Sequence, residues 1–192
     1  MKSISAIILA AGRSTRMGKQ KMLMPWGETI VVEKVIQTIR SSGVGEIVLV
    51  TNPEIASQIT SPELLIVLNS DHEGEMLTSI QLGLQAQKAS AQATLVCLGD
   101  QPQIEEGSVR SVCEAFQKSG SKLVVPSYQM RRGHPWLVER TLWEEILSMK
   151  GGSMREFLDR YANEIEYVNL STPTILQDLD TPEDYLKYKP SM

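Results

Sequence analysis

A basic loop follows the first apolar run of the sequence and has the composition of an anion-binding site. Residues 7–9 are aliphatic and residues 10–12 are small. Four cationic side chains then fall within nine residues: Arg13, Arg16, Lys19 and Lys21. Backbone N–H groups together with Arg and Lys side chains suit phosphate oxygens. Because the whole chain has a net charge of −4, this local positive charge favours an anion site. The alternative is a βα turn with solvated basic residues.

The loop matches neither of two common phosphate-binding motifs. The spacing between Gly12 and Gly18 is one residue too long for a Walker A loop, and Gln20 stands where that motif has Ser or Thr. No G-x-G-x-x-G pattern occurs, so the dinucleotide-binding fingerprint is also excluded. A phosphate at this loop would therefore be bound by a different arrangement of amides and cations.

Asp100 is the first candidate for a metal-binding carboxylate. It follows the apolar run 93–98 in the segment Gly99-Asp100-Gln101-Pro102, where Gly99 permits a close approach of backbone or ligand. A carboxylate that faces a phosphate-binding loop predicts a Mg²⁺ or Mn²⁺ ion between them, because such ions bind carboxylates and substrate phosphates together. The alternative is an Asx turn in which Asp100 caps the amide groups that follow it.

Asp178 and Asp180 are candidates for a second metal ligand. We expect their side chains to point to opposite faces of an extended segment, so that only one of them joins the site. Either of them can be that ligand. The alternative is that Asp180 and Thr181 cap a terminal helix that begins at Pro182, and we prefer this role for Thr181.

Two further segments carry side chains that can contact a ligand. One is the basic loop 131–135, although a lone histidine such as His134 is more often a surface residue than a catalytic one. With His72 as the only other histidine, a multi-histidine metal site is excluded. The second is the start of a helix predicted over residues 76–87, where the Ser79 hydroxyl can contact a ligand or cap the helix. No G-x-S-x-G nucleophile motif occurs.

The composition limits the class of protein. A chain of 192 residues, 42% hydrophobic and 22% charged, fits one globular domain. Its mild acidity argues against a nucleic-acid partner. Cys97 and Cys113 have no C-x-x-C spacing, which indicates neither a zinc site nor a disulfide framework. No apolar run is long enough for a membrane span and no cleavable leader is visible, so we expect a cytoplasmic protein.

Strand and helix patterns alternate along the chain and must position these residues. Apolar runs predict strands near residues 5–9, 47–50, 64–68, 93–98, 123–125 and 166–169. Amphipathic spacing predicts helices near residues 29–42, 76–87, 105–119, 141–149 and 154–161 and at the C-terminus. We expect residues 127–136 to be irregular. The pattern predicts a three-layer α/β/α fold with a mostly parallel, Rossmann-like sheet and some mixed strands in its C-terminal part.

These motifs together resemble the signature of the MobA-like nucleotidyltransferases. Four segments carry the resemblance in order along nearly the whole chain: residues 9–27, 99–102, 133–135 and 178–184. The first segment is shared with sugar-nucleotide pyrophosphorylases. The later segments look most like the branch that transfers CMP to molybdopterin. Ala11 and the Gly-Asp-Gln-Pro segment differ from the guanylyl-transferring branch, which typically has Leu-Ala-Gly-Gly and Cys-Asp-x-Pro.

The resemblance implies one domain, residues 1–192, with a nucleotide-binding half up to about residue 105 and an acceptor-binding half from about residue 106. The catalytic residues it implies are Arg16, Lys21 and Asp100, and the metal ligands are Asp100 and Asp180. The nucleotide-binding residues are Leu9, Ala10, Ala11, Gly12, Arg13, Ser14, Thr15, Arg16, Met17, Gly18, Lys21, Ser79 and Gly99. The acceptor-binding residues are Arg131, Gly133, His134 and Pro135.

The reaction implied by the resemblance is transfer of CMP from CTP to the terminal phosphate of molybdopterin, or molybdenum cofactor, with release of pyrophosphate and with Mg²⁺ (or Mn²⁺) as cofactor. The product would serve an apo-molybdoenzyme of the xanthine dehydrogenase type. One alternative is transfer of GMP, or transfer to another phosphate such as a sugar phosphate or phospholactate. An alternative of another class is a non-catalytic carrier or insertion chaperone, against which the presence of Arg16, Lys21 and Asp100 together argues.

Overall fold

A mixed eight-stranded sheet forms the centre of the molecule. The computed structural model describes residues 2–12, 14, 17–70 and 75–190. The strands are β1 (Ile4–Ala10), β2 (Pro25–Trp26), β3 (Thr29–Ile30), β4 (Glu46–Thr51), β5 (Leu65–Leu68), β6 (Ala93–Leu98), β7 (Leu123–Tyr128), β8 (Arg131–Arg132), β9 (Trp136–Glu139) and β10 (Ile165–Asn169). The α-helices are α1 (Val31–Ser41), α2 (Pro53–Ala56), α3 (Met76–Ala86), α4 (Glu106–Ser119), α5 (Trp143–Ser148), α6 (Met154–Arg160) and α7 (Pro182–Tyr188). Short 3₁₀ helices lie at Lys21–Leu23, Arg140–Leu142 and Pro173–Leu176.

The direction of β9 brings the candidate site residues to one edge of the sheet. The strand order is β10-β7-β9-β6-β1-β4-β5, with β8 paired to β7. β6, β1, β4 and β5 pair in parallel, as do β7 and β10, whereas β9 lies antiparallel between β6 and β7. The amino end of β9 therefore lies at the same edge as the carboxyl ends of the parallel strands. Open α/β sheets bind their ligands at this edge.

Helices cover both faces of the sheet. Ile7 and Leu9 of β1 pack in a core with α3, α5 and α6, whereas Ala6 and Ile8 pack in a second core with α1 and α4. Gly83 lets α3 approach β1 closely, because a Cβ there would lie 2.6 Å from the Cγ2 atom of Ile7. These layers, with nearly all long strands parallel, confirm the predicted fold class. Among the described residues, no helix is long and apolar enough to cross a membrane.

The prediction that residues 127–136 are irregular is wrong. β7 extends to Tyr128, turns into β8 at Arg131 and is followed by β9 from Trp136. The turn between β7 and β8 consists of Gln129 and Met130, with φ of 49° and 65°. Tight hairpin turns with two positive φ values usually contain Asn or Gly. The sequence therefore lacked the residues that would have indicated a hairpin.

Candidate active site

The ammonium group of Lys21 lies between two carboxylates at the carboxyl edge of the sheet. Its Nζ atom is 2.5 Å from Oδ2 of Asp100 and 3.2 Å from Oδ1 of Asp180. Asp100 follows β6 and Asp180 precedes α7, so three distant parts of the chain meet here. The side chains of Lys21 and Asp100 are only 11% and 14% exposed, so water screens their attraction weakly. The carboxylate of Asp100 thus pairs with a cation.

The charged groups in this cluster shift one another's pKa values. Burial acts to lower the pKa of Lys21, but the charge of Asp100 and hydrogen bonds to Asp100 and Asp180 outweigh it, and the pKa is raised. Burial and repulsion from Asp100 raise the pKa of Asp178 to about 6. A hydrogen bond from Nε2 of Gln101 to Oδ1 of Asp178, 2.6 Å long, opposes that rise. Three carboxylates therefore interact around one lysine.

The expectation that Asp178 and Asp180 point to opposite faces is wrong, because residues two apart in an extended segment lie on the same face. Asp180 pairs with Lys21, and Asp178 is repelled by both Asp100 and Asp180. The next residue, Thr181, caps α7 as predicted, in a reciprocal capping box with Asp184.

A divalent cation with oxygen ligands fits this cluster. Asp100 and Asp180 each place a carboxylate oxygen within 3.2 Å of a common cationic atom. Mg²⁺ and similar ions typically take one or two carboxylates and complete their shell with water and substrate phosphates. Within the described part of the chain, no group of three or more His, Cys, Asp or Glu side chains is arranged to hold a metal ion. The donor set therefore suits an ion that arrives with a phosphate ligand.

Ser14 organises the loop that leads to Lys21. Its hydroxyl accepts a hydrogen bond from the backbone N–H of Lys21 at 3.0 Å and donates one to Oε1 of Gln20 at 2.8 Å. Its carbonyl accepts the N–H of Met17 at 2.9 Å. Ser14 itself has a φ of 52°, a left-handed conformation that few side chains favour. The residue we expected to contact the nucleotide thus also fixes the position of Lys21.

The remaining predicted loop residues frame the end of β1. Leu9 and Ala10 are buried at the carboxyl end of that strand. Ala11 is partly exposed and Gly12 is exposed. Gly18 has a φ of 64° and ends the turn before Lys21. Three predicted loop residues lie outside the described residues: Arg13, Thr15 and Arg16.

Gly99 and Ser79 both make contacts within the protein. The N–H of Gly99 donates to the carbonyl of Leu9 at 2.9 Å, and a Cβ on Gly99 would lie 2.9 Å from that same oxygen. The close approach at Gly99 is therefore one of backbone to backbone. Ser79 is buried and its hydroxyl accepts a hydrogen bond from Nδ2 of Asn69 at 2.9 Å. A nucleotide contact for either residue stays a prediction.

A cavity of about 970 Å³ opens beside β7, β8 and α6. Three of the predicted acceptor residues line it: Arg131, Gly133 and His134. The fourth, Pro135, is buried next to them. The imidazole of His134 packs against Trp136 with ring centroids 6.4 Å apart, and burial lowers the pKa of His134 to about 4. His134 is therefore neutral at pH 7 and can offer a hydrogen bond but no charge.

Arginines give the cavity a positive charge. Arg132 pairs with Asp159 at 2.5 Å and donates to the hydroxyl of Tyr167 at 2.9 Å. Arg131 and Arg155 are exposed on the cavity wall, and within the described ranges neither forms a salt bridge. The sequence interpretation missed Arg155 and Tyr167, because no local motif connects α6 and β10 to the loop 131–135.

The fold and the site together define a nucleotidyltransferase. A three-layer α/β/α fold places a lysine–carboxylate cluster where its parallel strands end, and a positively charged cavity opens at β7 and β8. Residues 6–165 match the family described as the MobA-like NTP transferase domain, and the chain belongs to that family.

Relatives of known sequence or structure are similar to this chain over nearly its full length. The chain is 28% identical to a molybdenum cofactor cytidylyltransferase of Escherichia coli strain K12, over 98% of this chain and 97% of that protein. The crystal structure of Rv0371c from Mycobacterium tuberculosis H37Rv superposes with a TM-score of 0.87 at 24% identity, covering 99% and 98% of the two chains. Its complex with manganese gives a TM-score of 0.81 at 23% identity, covering 99% of both chains. A nucleotidyl transferase from Methanothermobacter thermautotroptrophicus gives 0.86 at 23% identity, covering 98% and 97%.

Proposed function

We propose that the protein transfers CMP from CTP to the terminal phosphate of molybdopterin or molybdenum cofactor and releases pyrophosphate. The observation that carries this proposal is the Lys21–Asp100–Asp180 cluster, in which two carboxylates converge on one cation beside an arginine-lined cavity. The full-length similarity to a molybdenum cofactor cytidylyltransferase supports the choice of base and acceptor. The reaction forms a bond between an acceptor phosphate oxygen and the α-phosphorus of CTP, and it breaks the bond to pyrophosphate.

The protein's main task in this reaction is to hold two anions together. A phosphate acceptor is already a nucleophile near neutral pH, so positioning and charge neutralisation matter more than a general base. Lys21, whose ammonium stays charged, binds the triphosphate, and Ser14 holds the backbone of Lys21 in place. Arg16 and the backbone of residues 10–18 complete the nucleotide site.

Asp100 and Asp180 would hold a Mg²⁺ or Mn²⁺ ion in the complex with CTP. When bound, such an ion neutralises charge on the phosphates and stabilises the leaving pyrophosphate. Lys21 pairs with both of these carboxylates, so the ion and the ammonium group would compete for them. The raised pKa of Asp178 leaves this third carboxyl partly protonated near pH 6, which limits the repulsion within the cluster.

The acceptor occupies the cavity beside β8. A volume of about 970 Å³ lies within the range that holds substrate-sized molecules. Arg131 supplies positive charge for an anionic acceptor, and neutral His134 supplies a hydrogen bond. We place the boundary between the nucleotide-binding and acceptor-binding halves near residue 105. Asp178 and Asp180 are exceptions, because they follow this boundary in the sequence but belong to the carboxylate cluster around Lys21.

Pyrophosphate release tests this function. The purified protein is incubated with Mg²⁺, molybdenum-loaded molybdopterin and one nucleotide at a time: CTP, GTP, ATP or UTP. We expect release with CTP alone, and a loss of several orders of magnitude for Asp100→Asn, with unchanged folding by circular dichroism. Release with GTP would assign guanylyl transfer instead. Tight cofactor binding without release from any nucleotide would identify a carrier and refute the transferase.

A further inference from the structure

Gln101 is a buried residue next to Asp100 to which the proposed reaction gives no role. Its side chain is 2% exposed. Its Nε2 atom donates to Oδ1 of Asp178 at 2.6 Å and to the carbonyl oxygen of Ile175 at 3.3 Å. Because both partners are acceptors, they determine which end of the amide carries the nitrogen. Gln101 therefore ties the segment after β6 to the segment that precedes α7.

The carbonyl of Ile175 also holds the loop that lines the cavity. It accepts the backbone N–H of His134 at 3.0 Å. A Cβ on Gly133 would lie 2.4 Å from the same oxygen, so only glycine allows this approach. A further backbone hydrogen bond, from the N–H of Leu179 to the carbonyl of Asp100, is 3.1 Å long. One short segment, residues 175–180, thus contacts both the carboxylate cluster and the cavity.

The amide of Gln101 has a cost for the fold as well as a benefit. Its Oε1 atom is buried and has no hydrogen-bond partner within the described residues. A buried polar atom without a partner costs about 1–3 kcal/mol. A methionine of similar length would remove this cost and fill the same space. What methionine would lose is the pair of hydrogen bonds that holds Asp178 and Ile175.

We propose that Gln101 is a positioning residue that fixes residues 175–180 against both sites. Through Asp178 it sets the path of the chain to Asp180, which faces Lys21 and Asp100. Through Ile175 it sets the position of the His134 loop at the cavity. The geometry of the metal site and that of the acceptor site therefore depend on the same side chain. The effects of Gln101 on metal dependence and on the acceptor KM rest on the proposed function, whereas its effect on the position of residues 175–180 does not.

Gln101→Met tests the proposal, and Gln103→Met is its matched control. Gln103 lies two residues further on, and its buried amide atoms have no partner within the described part of the chain. We expect Gln101→Met to speed hydrogen exchange of the amides of Leu179 and His134 at an unchanged melting temperature. Positioning residues around metal ligands typically change affinity or activity 10–100-fold. We therefore expect the Mn²⁺ concentration for half-maximal activity and the acceptor KM each to rise about tenfold, with the KM for CTP unchanged.

A merely structural role would lower the amount of active protein and leave both KM values unchanged. The proposal is overturned if Gln101→Met matches Gln103→Met in hydrogen exchange, or if wild-type protein transfers CMP and Gln101→Met keeps its acceptor KM and its Mn²⁺ dependence. If the wild-type protein releases no pyrophosphate from any nucleotide, the proposed function fails. Faster exchange in residues 175–180 of Gln101→Met would then still support the positioning role, and unchanged exchange would overturn it.

Discussion

Replacing Lys21 by methionine removes the cation that two carboxylates share, while keeping the length of the side chain. The Lys21–Asp100 pair is nearly buried, with exposures of 11% and 14%. Removing one partner of a buried ion pair leaves an uncompensated charge and costs about 3–5 kcal/mol. The contact with Asp180 adds little, because that carboxylate is 50% exposed and exposed pairs contribute roughly 0–1 kcal/mol. Since some water reaches the site, we expect Lys21→Met to lower the free energy of unfolding by about 3 kcal/mol.

Thermal unfolding in a metal chelator measures this loss. For a domain of this size, a change of 1 kcal/mol shifts the melting temperature by roughly 2–4 °C, so we expect a decrease of roughly 6–12 °C. Adding Mn²⁺ should then stabilise Lys21→Met more than the wild-type protein, because the ion no longer competes with the ammonium for the two carboxylates. A ligand at a hundred times its Kd contributes about 2.7 kcal/mol, which would restore most of the loss.

Lys19→Met is the matched control, since Lys19 is exposed two residues away. Exposed substitutions of this kind usually change stability by less than about 0.5 kcal/mol. Equal melting temperatures for Lys21→Met and Lys19→Met would refute the assignment of Lys21 as the shared cation. An equal response of Lys21→Met and wild-type protein to Mn²⁺ would refute the competition between lysine and metal.

Two other substitutions test the cluster and the cavity. Asp178 has a pKa of about 6 in the folded protein against an ordinary 3.8, so the folded state binds its proton more tightly and loses stability as the pH rises from about 4 to 7. With allowance for partial exposure, Asp178→Asn should be about 1–2 kcal/mol more stable than wild-type protein at pH 7, and the difference should vanish near pH 4 in denaturant unfolding with chelator. Gly133→Ala places a Cβ 2.4 Å from the carbonyl oxygen of Ile175. Overpacking against backbone costs about 1–3 kcal/mol, and we expect a lower melting temperature and a higher acceptor KM.

One result would contradict each of these two predictions. A constant difference between Asp178→Asn and wild-type protein across pH 4 to 7 would mean that this carboxyl is not the group that titrates. For Gly133→Ala, Gly107→Ala serves as a control, because nothing lies within 4 Å of a Cβ at Gly107. Equal stability of these two variants would show that the approach of Gly133 to Ile175 is not tight.

Much of the fold follows from local patterns in the sequence. The continuous apolar run of β1 and the amphipathic spacing of α1 and α4 predict a covered parallel sheet, because both need burial against another layer. The terminal helix is also determined locally, since Thr181 and Asp184 form a reciprocal capping box and Pro182 has no N–H group that needs a partner. Asp100 was identifiable because it lies two residues beyond the end of β6, and Lys21 because it belongs to the basic segment that follows β1.

Other features depend on the tertiary structure. Lys21 lies 79 residues from Asp100 and 159 residues from Asp180 in the sequence, and only the packing of irregular segments brings the three together. The antiparallel position of β9 was not predictable from the sequence. The β7–β8 hairpin that precedes it turns through Gln129 and Met130, and neither is a residue type that usually forms such a turn. The carbonyl of Ile175 joins the two sites through its backbone. Every residue carries such a carbonyl, so no residue type in the sequence could have indicated its role.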